Sequence, residues 1–194
     1  MYCWSSTIVV SLLLHLLGIM LMLTEGSDEE YRLLQDLRKN YDPQERPIRD
    51  HHDPIVVNLR VILQQLVDVD EKNQMITLMI WLQQTWTDYK MKWDPEEYGG
   101  ITNVRFPSAA GGLWKPDVLL FNSADDKFDA SYPVNIVVKH TGDILFAPPG
   151  IVKSSCEIDI TWFPFDEQIC SLKVRDRREY HVLRSWKSNI IIDK

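Results

Sequence analysis

From Ile55 the apolar residues fall on every second position. Ile55, Val57, Leu59, Val61 and Leu63 alternate with more polar neighbours, the pattern of a strand with one buried face. The polar stretch 68–73 then reads as a turn, and residues 75–86 form a second β-prone segment. In it Trp81, Gln83 and Thr85 point to one face and Leu82, Gln84 and Trp86 to the other, so two antiparallel strands are the economical reading. Further β-prone pieces at 118–121, 134–139, 144–147, 151–161 and 168–174 are separated by Gly, Pro, Asn and Asp clusters, the rhythm of a β-sandwich. His140-Thr141-Gly142-Asp143 is a hairpin turn, with Gly able to take the positive φ such a turn often needs.

Ahead of the strands the period is helical. Ser27-Asp28-Glu29-Glu30 has the form of a capping box, and Tyr31, Leu34, Leu37 and Tyr41 share one face before Pro43 and Pro47 stop the helix. This amphipathic helix lies on the domain surface. With 194 residues and 45% hydrophobic content the chain can bury one real core, and no repeat or low-complexity linker divides it.

Residues 8–23 are apolar except for Ser11, His15 and Gly18, which reads as a secretory signal. A cut after Gly26 is consistent with Thr24-Glu25-Gly26, although no Lys or Arg precedes the apolar run. An uncleaved signal anchor is the alternative, since the run approaches the ~18 residues of a membrane span. Either way the rest enters the secretory lumen. Cleavage removes Cys3 and leaves Cys156 and Cys170, an even count that suggests a disulfide in an oxidising compartment. Two buried free thiols are the other reading. No Asn-x-Ser/Thr acceptor occurs.

A formal net charge of −7 gives no general electrostatic reason to bind nucleic acid. Enzymatic constellations are poor: no nucleophile elbow, zinc-protease helix or phosphate-cradling glycine loop is present, and no cofactor is implied. His51-His52-Asp53 is read as a solvated loop, because adjacent side chains on an extended segment point apart and no spaced partner completes a tetrahedral metal set. Asp68-Val69-Asp70-Glu71 lacks the glycine and distal glutamate of a calcium loop and is read as a hairpin tip.

The informative run is Cys156-Glu157-Ile158-Asp159-Ile160-Thr161-Trp162-Phe163-Pro164-Phe165-Asp166-Glu167-Gln168-Ile169-Cys170. Two cysteines separated by 13 residues, with Trp-Phe-Pro-Phe-Asp between them, resemble the signature of pentameric Cys-loop ligand-gated ion channels, especially nicotinic acetylcholine receptor subunits. Three blocks extend the resemblance in the family's order: 81–88, Val104-Arg105-Phe106-Pro107, and 114–125. The resemblance covers about residues 29–174 and implies a mainly β fold, an N-terminal helix followed by an immunoglobulin-like β-sandwich.

It also implies a site between two subunits of a homo- or hetero-pentamer, where aromatic rings attract a small amine neurotransmitter. Trp81 matches the aromatic residue of the complementary face, and Val137, Leu145 and Ala147 fall on strands lining that face. A core role is the other reading of Trp81. Phe121 matches a principal-face position that is often Tyr, so a ring is kept and a hydroxyl lost. Trp114, Pro116 and Asp117 look like framework residues. The resemblance puts Phe163, Pro164, Phe165 and Asp166 in a loop at the membrane end that couples binding to the pore.

After Val174 the family pattern Gly-Ser-Trp-x-Tyr is replaced by Arg175-Asp176-Arg177-Arg178-Glu179-Tyr180-His181. The expected organisation is therefore a signal peptide at 1–26, a truncated ligand-binding domain at 27–174 and a divergent tail at 175–194, whose missing last strands leave bare sheet edges. The expected function is an extracellular or synaptic plasma-membrane receptor subunit that lacks its pore and meets the membrane only through full-length partner subunits or an uncleaved leader. A secreted pore-free binding or assembly-modulating protein, and a non-functional truncated product, are the alternatives.

Overall fold

Opposite charges at its two ends mark the first helix. The computed structural model describes residues 28–109, 112–125, 132–163, 165–176, 181–183 and 187–193. The expected leader at 1–26, Ser27 of the expected capping box, Pro164 and part of the expected tail lie outside them. Helix α1, Asp28–Arg38, carries three acidic residues in its first turn and Arg38 in its last, complementing the helix dipole. It buries Leu33, with Leu34, Leu37 and the following Tyr41 against the same core. Tyr31, assigned to that face from its spacing, is exposed. Two residues from Leu33 on a 3.6-residue helix is just over half a turn, which turns its ring to solvent.

Strands β1, Ile55–Asp70, and β2, Met75–Thr87, form the expected antiparallel hairpin, with a tighter turn than the sequence suggested because β1 runs on to Asp70. Gln74 closes the turn in the left-handed region at φ 56°. The alternation of β1 holds through Val61 and then breaks. Register shifts between Leu63 and Gln65 and between Leu66 and Asp68 insert extra residues. Such a bulge moves later side chains to the other face. Leu63, the last residue before the first shift, is exposed although it pairs with buried Ile80, and beyond the shifts Leu66 and Val69 take over the inward positions.

Strand β2 is the centre of the larger sheet. Along one edge it pairs with β1; along the other it pairs first with β7, Pro149–Ser155, and then with β6, Asp143–Phe146. β6 continues to β5, Ile136–Lys139, through the 140–143 turn, where Gly142 has φ 86° and an added Cβ would meet the Asp88 carbonyl oxygen at 2.5 Å. β3, Asn103–Phe106, pairs with β5, and β9, His181–Leu183, lies parallel to the start of β1. A second sheet has the order β10, β8, β4, with β4 at Val118–Leu120, β8 at Glu167–Asp176 and β10 at Lys187–Asp193. The strand expected over 151–161 ends at Ser155. The tail, expected to leave sheet edges bare, contributes β10, which pairs with β8 from Lys187 opposite Lys173 to Asp193 opposite Glu167.

Helix then β-sandwich is thus the observed architecture. One core gathers Leu33, Ile55, Val57, Val104, Phe106, Ile136, Val138 and Ile144 around Trp86, which meets Trp114 edge to face at 5.9 Å. A second gathers Ile76, Leu78, Ile80, Ile158 and Leu172 around the Cys156–Cys170 disulfide, whose Cα atoms are 5.2 Å apart. That bridge ties the end of β7 to β8, so it joins the two sheets. Asn122 joins them again: its Nδ2 donates to Ser154 Oγ and to the Ser171 carbonyl, both at 2.8 Å, while its Oδ1 accepts from the Lys173 amide at 2.9 Å.

Candidate ligand-binding face

In an antiparallel ladder, paired residues project to the same side of the sheet. Arg105 of β3 pairs with Val137 of β5, Val137 with Leu145 of β6, Leu145 with Thr85 of β2, and Thr85 with Asn58 of β1. This row runs across the outer face. Trp81 stands four residues from Thr85 on the same face of β2, opposite Ile62 on one side and Pro149 on the other. Its side chain is 42% exposed, whereas Trp86, of opposite parity, is in the core. Packing therefore does not account for Trp81. Ala147, two residues beyond Leu145, is half-buried, as are Val137 and Leu145.

Phe121 belongs to the other sheet. It follows β4, its amide donates to the Lys173 carbonyl at 2.7 Å, and its ring is 68% exposed. Within one chain the structure groups Trp81, Val137, Leu145 and Ala147 on the large sheet and sets Phe121 on the small one. Two residues on the large-sheet face escaped the sequence reading. Arg105 lay inside a recognised block but only its register opposite Val137 assigns it to this face, and Met79 joins Trp81 there through β2 parity.

Between the cysteines the loop is closed from within. Gln168 Nε2 donates to the Asp159 carbonyl at 2.7 Å and to Asp166 Oδ2 at 2.6 Å, and Gln168 Oε1 accepts from the Asp159 amide at 3.0 Å. Asp166, grouped with Phe163 and Phe165 from the resemblance, differs from them in being buried against Gln168. Trp162, Phe163 and Phe165 face solvent, Phe165 at 89%. Gln74 of the β1–β2 turn also holds this segment, its Oε1 accepting from the Ile158 amide at 2.5 Å and its carbonyl from the Cys156 amide at 2.9 Å.

The acidic hairpin tip closes its own turn. Asp70 accepts both the backbone and side-chain N–H groups of Asn73, which hold its carboxyl below the usual range. His51 and His52 lie in a turn rather than on an extended segment, so the divergence expected of adjacent side chains on a strand does not apply to them.

Residues 30–179 match the model of the neurotransmitter-gated ion-channel ligand binding domain. This chain belongs to that family. It is 63% identical over 164 residues to the neuronal acetylcholine receptor subunit eat-2 of Caenorhabditis briggsae, covering 84% of this chain and 34% of the relative. It is 55% identical over 150 residues to the acetylcholine receptor subunit alpha-type acr-16 of Caenorhabditis elegans, covering 77% and 30%. The human neuronal acetylcholine receptor subunit beta-3 is 43% identical over 166 residues, covering 84% and 36%. The chain thus spans about a third of the length of these relatives. As a ligand-binding domain of this family it carries the Cys156–Cys170 loop, closed by a disulfide. No helix among the described residues is long and apolar enough to cross a membrane.

Proposed function

We propose that this chain is the extracellular ligand-binding part of a nicotinic acetylcholine receptor-like channel subunit, which binds a small cationic amine between neighbouring subunits of a pentamer. The observation that carries this reading is Trp81: a large aromatic ring on the outer face of β2, left half open to solvent, where a buried structural Trp would be covered. Val137, Leu145 and Ala147 supply an apolar wall beside it, and a ring face attracts a quaternary or protonated amine electrostatically. Phe121, exposed on the other sheet, is the aromatic contribution to a neighbour's site. Ligand shifts the closed-to-open balance only through unequal affinity for the two states. The exposed Trp162, Phe163 and Phe165 loop is the apolar surface through which that shift reaches the pore, Pro164 completing the loop's sequence. The named relatives are acetylcholine receptor subunits, which supports the choice of an amine and of a cell-surface setting.

Equilibrium displacement of a labelled amine by acetylcholine, in receptors assembled with this subunit, tests the assignment. Trp81→Ala is expected to weaken binding about tenfold or more, since a desolvated cation–π contact contributes ~2 kcal/mol. Trp81→Phe keeps most of it. Unchanged affinity in Trp81→Ala removes Trp81 from the site.

A further inference from the structure

The loop between α1 and β1 carries a second, separate constellation. Pro47 is buried and Ile48 packs on the main core, while Ile55 is buried at the start of β1. The chain between them is therefore anchored at both ends and bulges into solvent. Its backbone is closed on itself: the Asp53 amide donates to the Asp50 carbonyl at 3.0 Å, the His52 amide to Asp50 Oδ1 at 2.9 Å, and Arg46 to the His51 carbonyl at 3.2 Å. This turn draws three neighbouring side chains together. The two imidazole rings have centroids 3.8 Å apart, and His51 Nδ1 is 3.5 Å from Asp50 Oδ1.

One donor atom from each of Asp50, His51 and His52 lies within 4.8 Å of the others. We propose that these three residues form a surface binding site for a divalent transition-metal ion of the zinc class. Imidazole nitrogen with a carboxylate oxygen suits zinc, copper or nickel, whereas calcium and magnesium require oxygen-rich shells. Zinc–nitrogen bonds of about 2.0–2.1 Å require these exposed side chains to draw closer than the 4.8 Å within which their donor atoms lie, a movement that rotamer changes at the surface can supply. Three protein ligands leave the fourth tetrahedral position to water or to a group from another molecule. The nearby guanidinium of Arg49 is directed elsewhere, 5.5 Å over the Tyr89 ring. The site does not depend on the amine-binding reading, because none of its residues lies on the Trp81 face.

Calorimetric titration of the purified chain with zinc chloride, repeated in excess calcium and magnesium, tests it. One zinc per chain is expected, insensitive to the competing ions. His51→Gln with His52→Gln abolishes it, and His52→Gln or Asp50→Asn alone weakens it about tenfold or more. Both rings are exposed, so the melting temperature of each metal-free variant should match that of the parent. Absence of zinc binding, equal binding by the double variant, or displacement by calcium overturns the proposal.

Discussion

Tyr41 and Asp88 show how single side chains fix the junction of helix, sheet and loop. Asp88 is fully buried at the end of β2, and its carboxylate accepts from the Tyr41 hydroxyl and the Lys90 amide, both at 2.8 Å. The Tyr41 oxygen in turn accepts from the Trp114 amide at 3.1 Å. Burial raises the Asp88 carboxyl above its ordinary value, and the Lys90 and Tyr41 hydrogen bonds partly restore the charged form. The folded chain therefore holds this proton more tightly than the unfolded chain. Its contribution to stability falls as the pH rises from the ordinary Asp value through the folded one. Tyr41→Phe strips a donor from Asp88 and an acceptor from Trp114, at a cost of about 1–3 kcal/mol. That cost should be largest at neutral pH and shrink as acid protonates Asp88, because the lost bond served the ionised carboxylate. Urea unfolding of both proteins across the acid range measures it; a cost that grows toward acid pH contradicts the assignment.

At the level of elements, the sheets were legible where period and partner agreed. Ile76, Leu78 and Ile80 share parity with Trp86, so β2 declares its inner face and leaves Trp81 outside. The phase change in β1 was not legible, because a bulge is a property of two strands and appears only in the register with β2. The His51–His52 turn escaped for a related reason: residues without apolar periodicity read as extended, while Asp50 and Arg46 close them into a turn. Among the described residues the two sheets are tied by the disulfide, by the Asn122 side chain, and by the backbone of residues 122–124, which pairs with Lys153 to Ser155 of β7. Replacing both Cys156 and Cys170 by Ser frees a loop spanning 14 positions and should cost about 3 kcal/mol in the chain-entropy account. Reduction of the parent protein should lower its denaturation midpoint by the same amount as the double substitution. If neither moves the midpoint, Asn122 and the shared core hold the sheets without the bridge.

At the scale of the whole molecule, the outer face around Trp81 is more apolar than one small ligand requires. Ile62 pairs with Trp81, Trp81 with Pro149 and Met79 with Ile151, so β1, β2 and β7 present a continuous band in which Ile62, Met79, Trp81 and Ile151 are all substantially exposed. Contiguous apolar surface of this kind marks contact with another molecule. Under the proposed function that molecule is a neighbouring subunit, whose aromatic side completes the amine site. Ile151 reaches solvent at the edge of β7, and a charge there should be tolerated by the isolated domain but not by a packed interface. Ile151→Lys is therefore expected to leave the melting temperature within about 1–3 °C, given the ±0.5 kcal/mol typical of surface changes, and to shift assembled subunits toward monomer in sedimentation velocity. Phe165→Ala, on the loop between the cysteines, serves as the comparison and should leave assembly intact. Equal assembly by Ile151→Lys and the parent would mean that the band contacts no neighbour, and that the Trp81 site is built from one subunit alone.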